Sequence, residues 1–237
     1  MTMTLRRPLL LAALAALPLP TTARAATTSL ALRPGGPRVP IATRTLPAER
    51  GEAFAIAFGT QGEIRLPTWY GDGRVLRALP VAGREVLLAE FQGNRGTGVA
   101  QKLAAVIGWD DAAGLRILTI ETLSFRDAQT SAASRRMTGA LEPTTARDAL
   151  LLRHETVLRR GRGPDRREAW TTRLAWSGTG LPTAPATPPR AGEVRLRVDA
   201  ARARIHALLA PAPVTDATGL DYDEAGIWAV GYADAVS

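Results

Sequence analysis

The chain has 237 residues, a formal charge of +8, no cysteine and only two histidines, His154 and His206. The lack of cysteine excludes disulfides, thiolate nucleophiles and Cys metal sites, and a lipid anchor on cysteine is not expected. Two imidazoles are too few for a His-rich zinc or copper centre, so neither a metal nor any other cofactor is expected.

An apolar content of 46% with 5% aromatics fits a globular core built from Leu, Val, Ile and Ala. The basic residues are almost all arginine, Lys102 being the one lysine, beside abundant Ala, Gly and Pro. That pattern reads as compositional bias rather than a nucleic-acid surface, and no nucleic-acid partner is expected.

Arg6 and Arg7 precede an apolar run from Pro8 to Leu19 that is too short to span a bilayer. Ala23-Arg24-Ala25 then supplies the small-x-small pattern that a signal peptidase reads before Ala26. The expected organisation is a cleavable signal peptide over 1–25, an irregular lead-in over 26–51 and a single β-rich domain over 52–237. The expected location is the periplasm or the exterior. Cleavage would remove Arg6, Arg7 and Arg24 and lower the charge to +5. The paired arginines also fit a twin-arginine signal, but Leu5 stands just before the pair where such signals carry Ser or Thr. This favours the general secretory route. No later segment approaches the ~20 apolar residues of a membrane helix, so no transmembrane segment is expected in the mature chain.

The lead-in carries Pro34, Pro37, Pro40 and Pro47 with Gly35-Gly36 and shows no sustained period. Ala53 to Gly59 alternates, with Phe54, Ile56 and Phe58 on one side, as a half-buried strand does. Leu66 to Gly73 is turn material carrying Trp69 and Tyr70. Arg84–Gln92, Thr97–Trp109 and Leu115–Phe125 read as three long strands separated by glycine turns at 93–96 and 110–114. Leu150–Arg160 and Arg167–Ser177 form a sharper hairpin. Its even-numbered residues, among them His154, Trp170, Leu174 and Trp176, share the inward face. Direct pairing of Arg160 with Arg167 would break that phasing, so the connecting loop must be asymmetric or bulged. Glu193–Asp199, Ala203–Leu209 and Ile227–Ala233 read as further strands, the middle one carrying His206 on its polar side. The sum is an all-β antiparallel meander, a curled sheet or barrel of lipocalin-like or carrier-like architecture. A β-sandwich is the alternative.

No catalytic motif stands out. Gly93-Asn94-Arg95-Gly96-Thr97-Gly98 resembles a phosphate loop only superficially, because Val99 stands where the lysine would have to be. His154 could serve as a general base with an inward carboxylate, Glu121 or Glu90 being the candidates. The plainer expectation is a buried, neutral imidazole. Trp69, Tyr70, Trp170 and Trp176 are candidate ligand-binding aromatics. Arg153, Arg159, Arg160, Arg162, Arg166, Arg167 and Arg173 concentrate charge on one hairpin, which could meet an anionic surface or the acidic stretch from Asp216 to Asp234. The expected function is that of an exported, soluble envelope protein binding an apolar ligand or a protein partner in or on its curled sheet. The alternative is a periplasmic hydrolase using His154 and an inward-facing carboxylate.

Overall fold

The computed structural model describes residues 29–68, 72–128, 133–176 and 180–233; the signal peptide expected over 1–25 lies outside them. The described chain is mostly β. Strands β1 (Ser29–Leu30), β2 (Val39–Ala48), β3 (Gly51–Phe58) and β4 (Glu63–Thr68) form a small antiparallel sheet in chain order. A larger antiparallel sheet follows, also neighbour to neighbour. It comprises β5 (Arg74–Val81), β6 (Arg84–Gly96), β7 (Val99–Asp110), β8 (Gly114–Asp127), β9 (Ala133–Pro143), β10 (Ala149–Arg160) and β11 (Arg166–Ala175). The expected antiparallel meander is present, but neither sheet closes into a barrel.

Register shifts at Val75/Arg77, Gln92/Arg95, Lys102/Leu103 and Val106/Ile107 add unpaired residues along β5 to β8. Such bulges bend strands and increase their twist, which curls the large sheet. One apolar cluster packs the small sheet (Phe54, Ile56, Phe58, Ile64, Leu66) against Leu87, Leu103, Ile107 and Ile117 of the large one. A second joins Val86, Leu88, Val106 and Leu118 to Leu141, Leu150, Leu152, Leu174 and Trp176, all buried.

Strands β8 and β9 pair only over Ser124–Asp127 with Arg135–Thr138, whereas β9 pairs along its length with β10. The two strands therefore fork, and the upper part of β8 is left without a strand neighbour on that side. Helix α1 (Glu193–Leu209) packs there against β8. The segment after it completes the cover. Ile117 N donates to the Val214 carbonyl at 2.9 Å, and Arg65 N of β4 donates to Thr215 at 2.8 Å. One piece of chain thus pairs both with the edge strand β4 of the small sheet and with the unpaired stretch of β8.

Three expectations are corrected. The strands expected at Glu193–Asp199 and Ala203–Leu209 are the single helix α1. Its buried residues Val194, Val198, Ala201, Arg202, Ile205 and Leu209 recur at three- and four-residue spacing. Arg197–Glu193 at 2.9 Å and Arg195–Asp199 at 3.5 Å tie successive turns. The strand expected at Ile227–Ala233 is a 3-10 turn over Ile227–Ala229 followed by irregular chain. The lead-in expected to be irregular contains β1 and β2. Because β1 covers only two of its residues, β2 is largely an edge strand, where Pro40 and Pro47 are tolerated and apolar alternation is not required.

The second hairpin has the expected phasing. Leu150 faces Leu174, Leu152 faces Thr172 and His154 faces Trp170, and the ladder ends at Leu158 with Arg166. The loop is asymmetric about the ends expected from the sequence, so the even-numbered residues of both strands stay inward.

Candidate functional site

Thr119, Glu121, Thr122, His154 and Arg202, all buried, gather at the fork between β8 and β9. Where β9 departs, the Thr122 carbonyl has no β9 ladder donor, and His154 of β10 reaches it instead, Nε2 to oxygen at 3.1 Å. A carbonyl only accepts, so Nε2 carries the proton. Nδ1 is buried and has no partner among the described residues, so nothing there stabilises a second proton. His154 is 3% exposed, and burial pushes its pKa below the ordinary 6.5 despite the opposing pull of Glu121. Gly139 is the residue that lets the ring in. A Cβ there would lie 2.8 Å from the Thr122 oxygen and 3.0 Å from the imidazole.

Glu121 is 2% exposed and is gripped from α1 by Arg202, whose Nε and Nη2 donate to its two oxygens at 2.7 and 3.1 Å. Arg202 also donates to Asp199 at 2.6 Å, and Asp199 accepts from Thr187 at 3.0 Å. Burial works against the Arg202 charge, yet Glu121 and Asp199 more than offset it and hold its pKa above the arginine norm. The Thr119 hydroxyl donates to Glu121 at 3.1 Å and therefore accepts from His206 Nε2 at 3.0 Å. Burial lowers the His206 pKa as well. His206 thus sits half-buried on a helix, not on the polar side of a strand. The fork is a pinned, charge-balanced joint between sheet and helix.

Glu90 and Glu121 both stand in register with Ala104, one on each side of it. They do not share a site. Glu90 is bound by Arg74 and Lys102, each at 3.0 Å, while Glu121 belongs to Arg202. Trp170 and Trp176 are 7% and 5% exposed and pack in separate apolar clusters. Trp69 and Tyr70 lie outside the described residues. Within the basic hairpin, Arg153 pairs with Glu142, Arg159 with Asp165, Arg167 with Glu155 and Arg173 with Asp148. Arg160 is partly buried, and Arg162 and Arg166 are exposed. Among the described residues, the acidic C-terminal segment turns to other partners, Asp216 to Arg65 and the Glu224 carbonyl to Arg204.

Neither His154 nor Glu121 lines the cleft beside Trp228, the one at Arg126 and Arg136, or the one at Arg95 and Lys102. One cleft, of about 510 Å³, opens between the sheets where the β2–β3 turn faces the loop 218–223. Half-buried Trp228 supplies the aromatic surface, stacked on buried Tyr222 with centroids 5.5 Å apart, and Phe91 is buried behind the cleft. Glu49, Glu52, Asp221 and Asp223 outnumber Arg50 among its lining residues. Gln92 also lines it, and its buried Oε1 has no hydrogen-bond partner among the described residues. The volume falls within the ~300–1,000 Å³ range of small-molecule sites. One half-buried indole face among acidic groups can hold a flat apolar body bearing a positive charge.

Comparison with protein families, with curated proteins and with solved structures finds no match to this chain. The sequence carried signals for part of the geometry only. Arg202 falls in the link between the two expected strands, Glu193–Asp199 and Ala203–Leu209, where no strand pattern singles it out, although its i, i+3 pairing with Asp199 is a helix signature. Trp228 and Tyr222 carry no local motif; the C-terminal segment brings them to the cleft.

Proposed function

We propose that the chain acts outside the cytoplasm as a non-catalytic envelope protein that binds a small, largely apolar ligand in the cleft between its two sheets. The observation carrying this reading is the contrast between two places. The cleft beside half-buried Trp228 is open, whereas the imidazole and carboxylate that could do acid–base work are buried and committed at the fork. Binding favours a concave, partly apolar site with a few polar groups, while a general base must come within hydrogen-bond reach of its substrate.

Native mass spectrometry of protein purified from its own compartment tests the proposal. A retained small molecule in the parent, lost in Trp228→Ala, is expected. A ligand-free parent, or a ligand kept by the variant, overturns it. Export rests on the N-terminal pattern, and N-terminal sequencing of the exported form should read from Ala26. A chain still beginning at Met1 would remove the extracytoplasmic part.

A further inference from the structure

Far along the large sheet, the short ladder between β8 and β9 sets Arg126 directly opposite Arg136. Both are exposed. Like charges directly opposite each other in an antiparallel pair are destabilising, so the pairing is unfavourable by itself. The neighbouring cations are neutralised. Arg159 has Asp165 at 3.1 Å and Arg167 has Glu155 at 3.2 Å. Arg135 is buried beneath, donating to the Tyr232 carbonyl at 2.6 Å with Glu193 at 3.5 Å. Among the described residues, no acid pairs with Arg126 or Arg136.

The two arginines line a cleft of about 530 Å³, in which five arginines face three acids. Ser134 and Thr138 line it too. They stand two residues to either side of Arg136 and so share its face of β9. This cleft has no lining residue in common with the one beside Trp228.

We infer that the Arg126–Arg136 pair is a phosphate site that takes the doubly charged end of a phosphate monoester. The excess of two positive charges matches a dianion, whereas a single carboxylate would neutralise one guanidinium and leave the other. Arginine presents a planar fork of donors that meets phosphate oxygens two at a time, and phosphate has three terminal oxygens to share between two such forks. The hydroxyls of Ser134 and Thr138 offer further donors from the same face. The group could be carried by a soluble molecule or by a lipid headgroup; the chemistry at the arginines is the same.

Calorimetric titration with phenyl phosphate and cosedimentation with phosphatidylcholine vesicles doped with phosphatidic acid separate the two sources. Binding in either arm is expected, and Arg126→Gln or Arg136→Gln should each weaken it about tenfold or more, as loss of a charge-assisted pair does. Arg153→Gln, outside the facing pair and held by Glu142, should leave affinity unchanged. Phenyl sulfate, a monoanion, should bind at least about tenfold more weakly than phenyl phosphate. Both target arginines are exposed, so the variants should fold, and without ligand their Tm should equal or exceed the parent's because a repulsion is removed. Three results overturn the site: no binding in either arm, affinity unchanged in both variants, or equal affinity for sulfate.

Discussion

His154 shows how a single side chain can mend a fault in a sheet. The Thr122 carbonyl would be an unpaired acceptor at the fork, and the imidazole supplies the missing donor from the next strand but one. His154→Leu should therefore cost about 1–3 kcal/mol in urea unfolding, the range for stranding a buried acceptor. His154→Gln keeps an amide donor and should cost less. Gly139→Ala should be destabilising with His154 intact, because the new methyl would intrude on both partners of the bond. The pH dependence follows from the same burial. His154 and His206 have pKa values lowered by desolvation, so the unfolded chain takes up protons before the folded one as the pH falls through about 6.5. Stability is fully present above that value and declines below it, towards the lowered folded pKa values. Unfolding free energies at pH 7.5 and 5.5 should show the drop, and His154→Leu should reduce it. An imidazole titrating above about 7 by NMR would contradict the neutral ring.

Helix α1 and the hairpin β10–β11 differ in how far their sequences disclosed them. The hairpin was legible because a period of two leaves only one register with both apolar faces inward, and Trp170, Leu174 and Trp176 are buried as that register requires. Trp176→Ala should cost about 3–5 kcal/mol in denaturant unfolding, the usual range for truncating a core aromatic. The helix was not legible because alanine satisfies both periods, and the alternation at Ala203, Ile205, Ala207 and Leu209 looked like a strand. Its most consequential residue, Arg202, points to a partner 81 positions away, which no local pattern shows. The facing of Arg126 and Arg136 was equally hidden, since the stretch 128–132 between β8 and β9 carries no glycine or proline to signal a turn and fix the register. Glu121→Ala should leave the buried Arg202 charge with Asp199 as its remaining acid and cost up to about 3–5 kcal/mol, whereas Glu121→Leu combined with Arg202→Met should recover much of the loss. A double variant as unstable as the single one would mean that packing, not charge, fixes α1 to β8.

At the scale of the whole molecule, the two sheets are joined by a shared apolar cluster and by the segment that follows α1. Val214 and Thr215 accept hydrogen bonds from β8 and β4 in turn, and Ala217 N returns one to the Arg65 carbonyl at 2.9 Å. Tyr222 and Ile227 then enter the cluster between the sheets, and the Tyr222 hydroxyl bonds back to Ala217 at 2.9 Å. With its core and its backbone bonds shared in this way, the small sheet has little to hold it together alone, and cooperative unfolding of both sheets is the consequence. Ala217→Pro is a sharp probe, because it removes one N–H from a buried position without deleting an apolar side chain. Losing the donor should cost about 1–3 kcal/mol, since the Arg65 acceptor is left unmet on that side. Hydrogen exchange distinguishes a joint from a mere neighbour. If the segment couples the sheets, the Arg65 and Ile117 amides should both exchange faster in the variant, although only Arg65 belongs to the strand whose bond was removed. Faster exchange at Arg65 with Ile117 unchanged would show that the segment braces each sheet separately and that the shared core alone unites them.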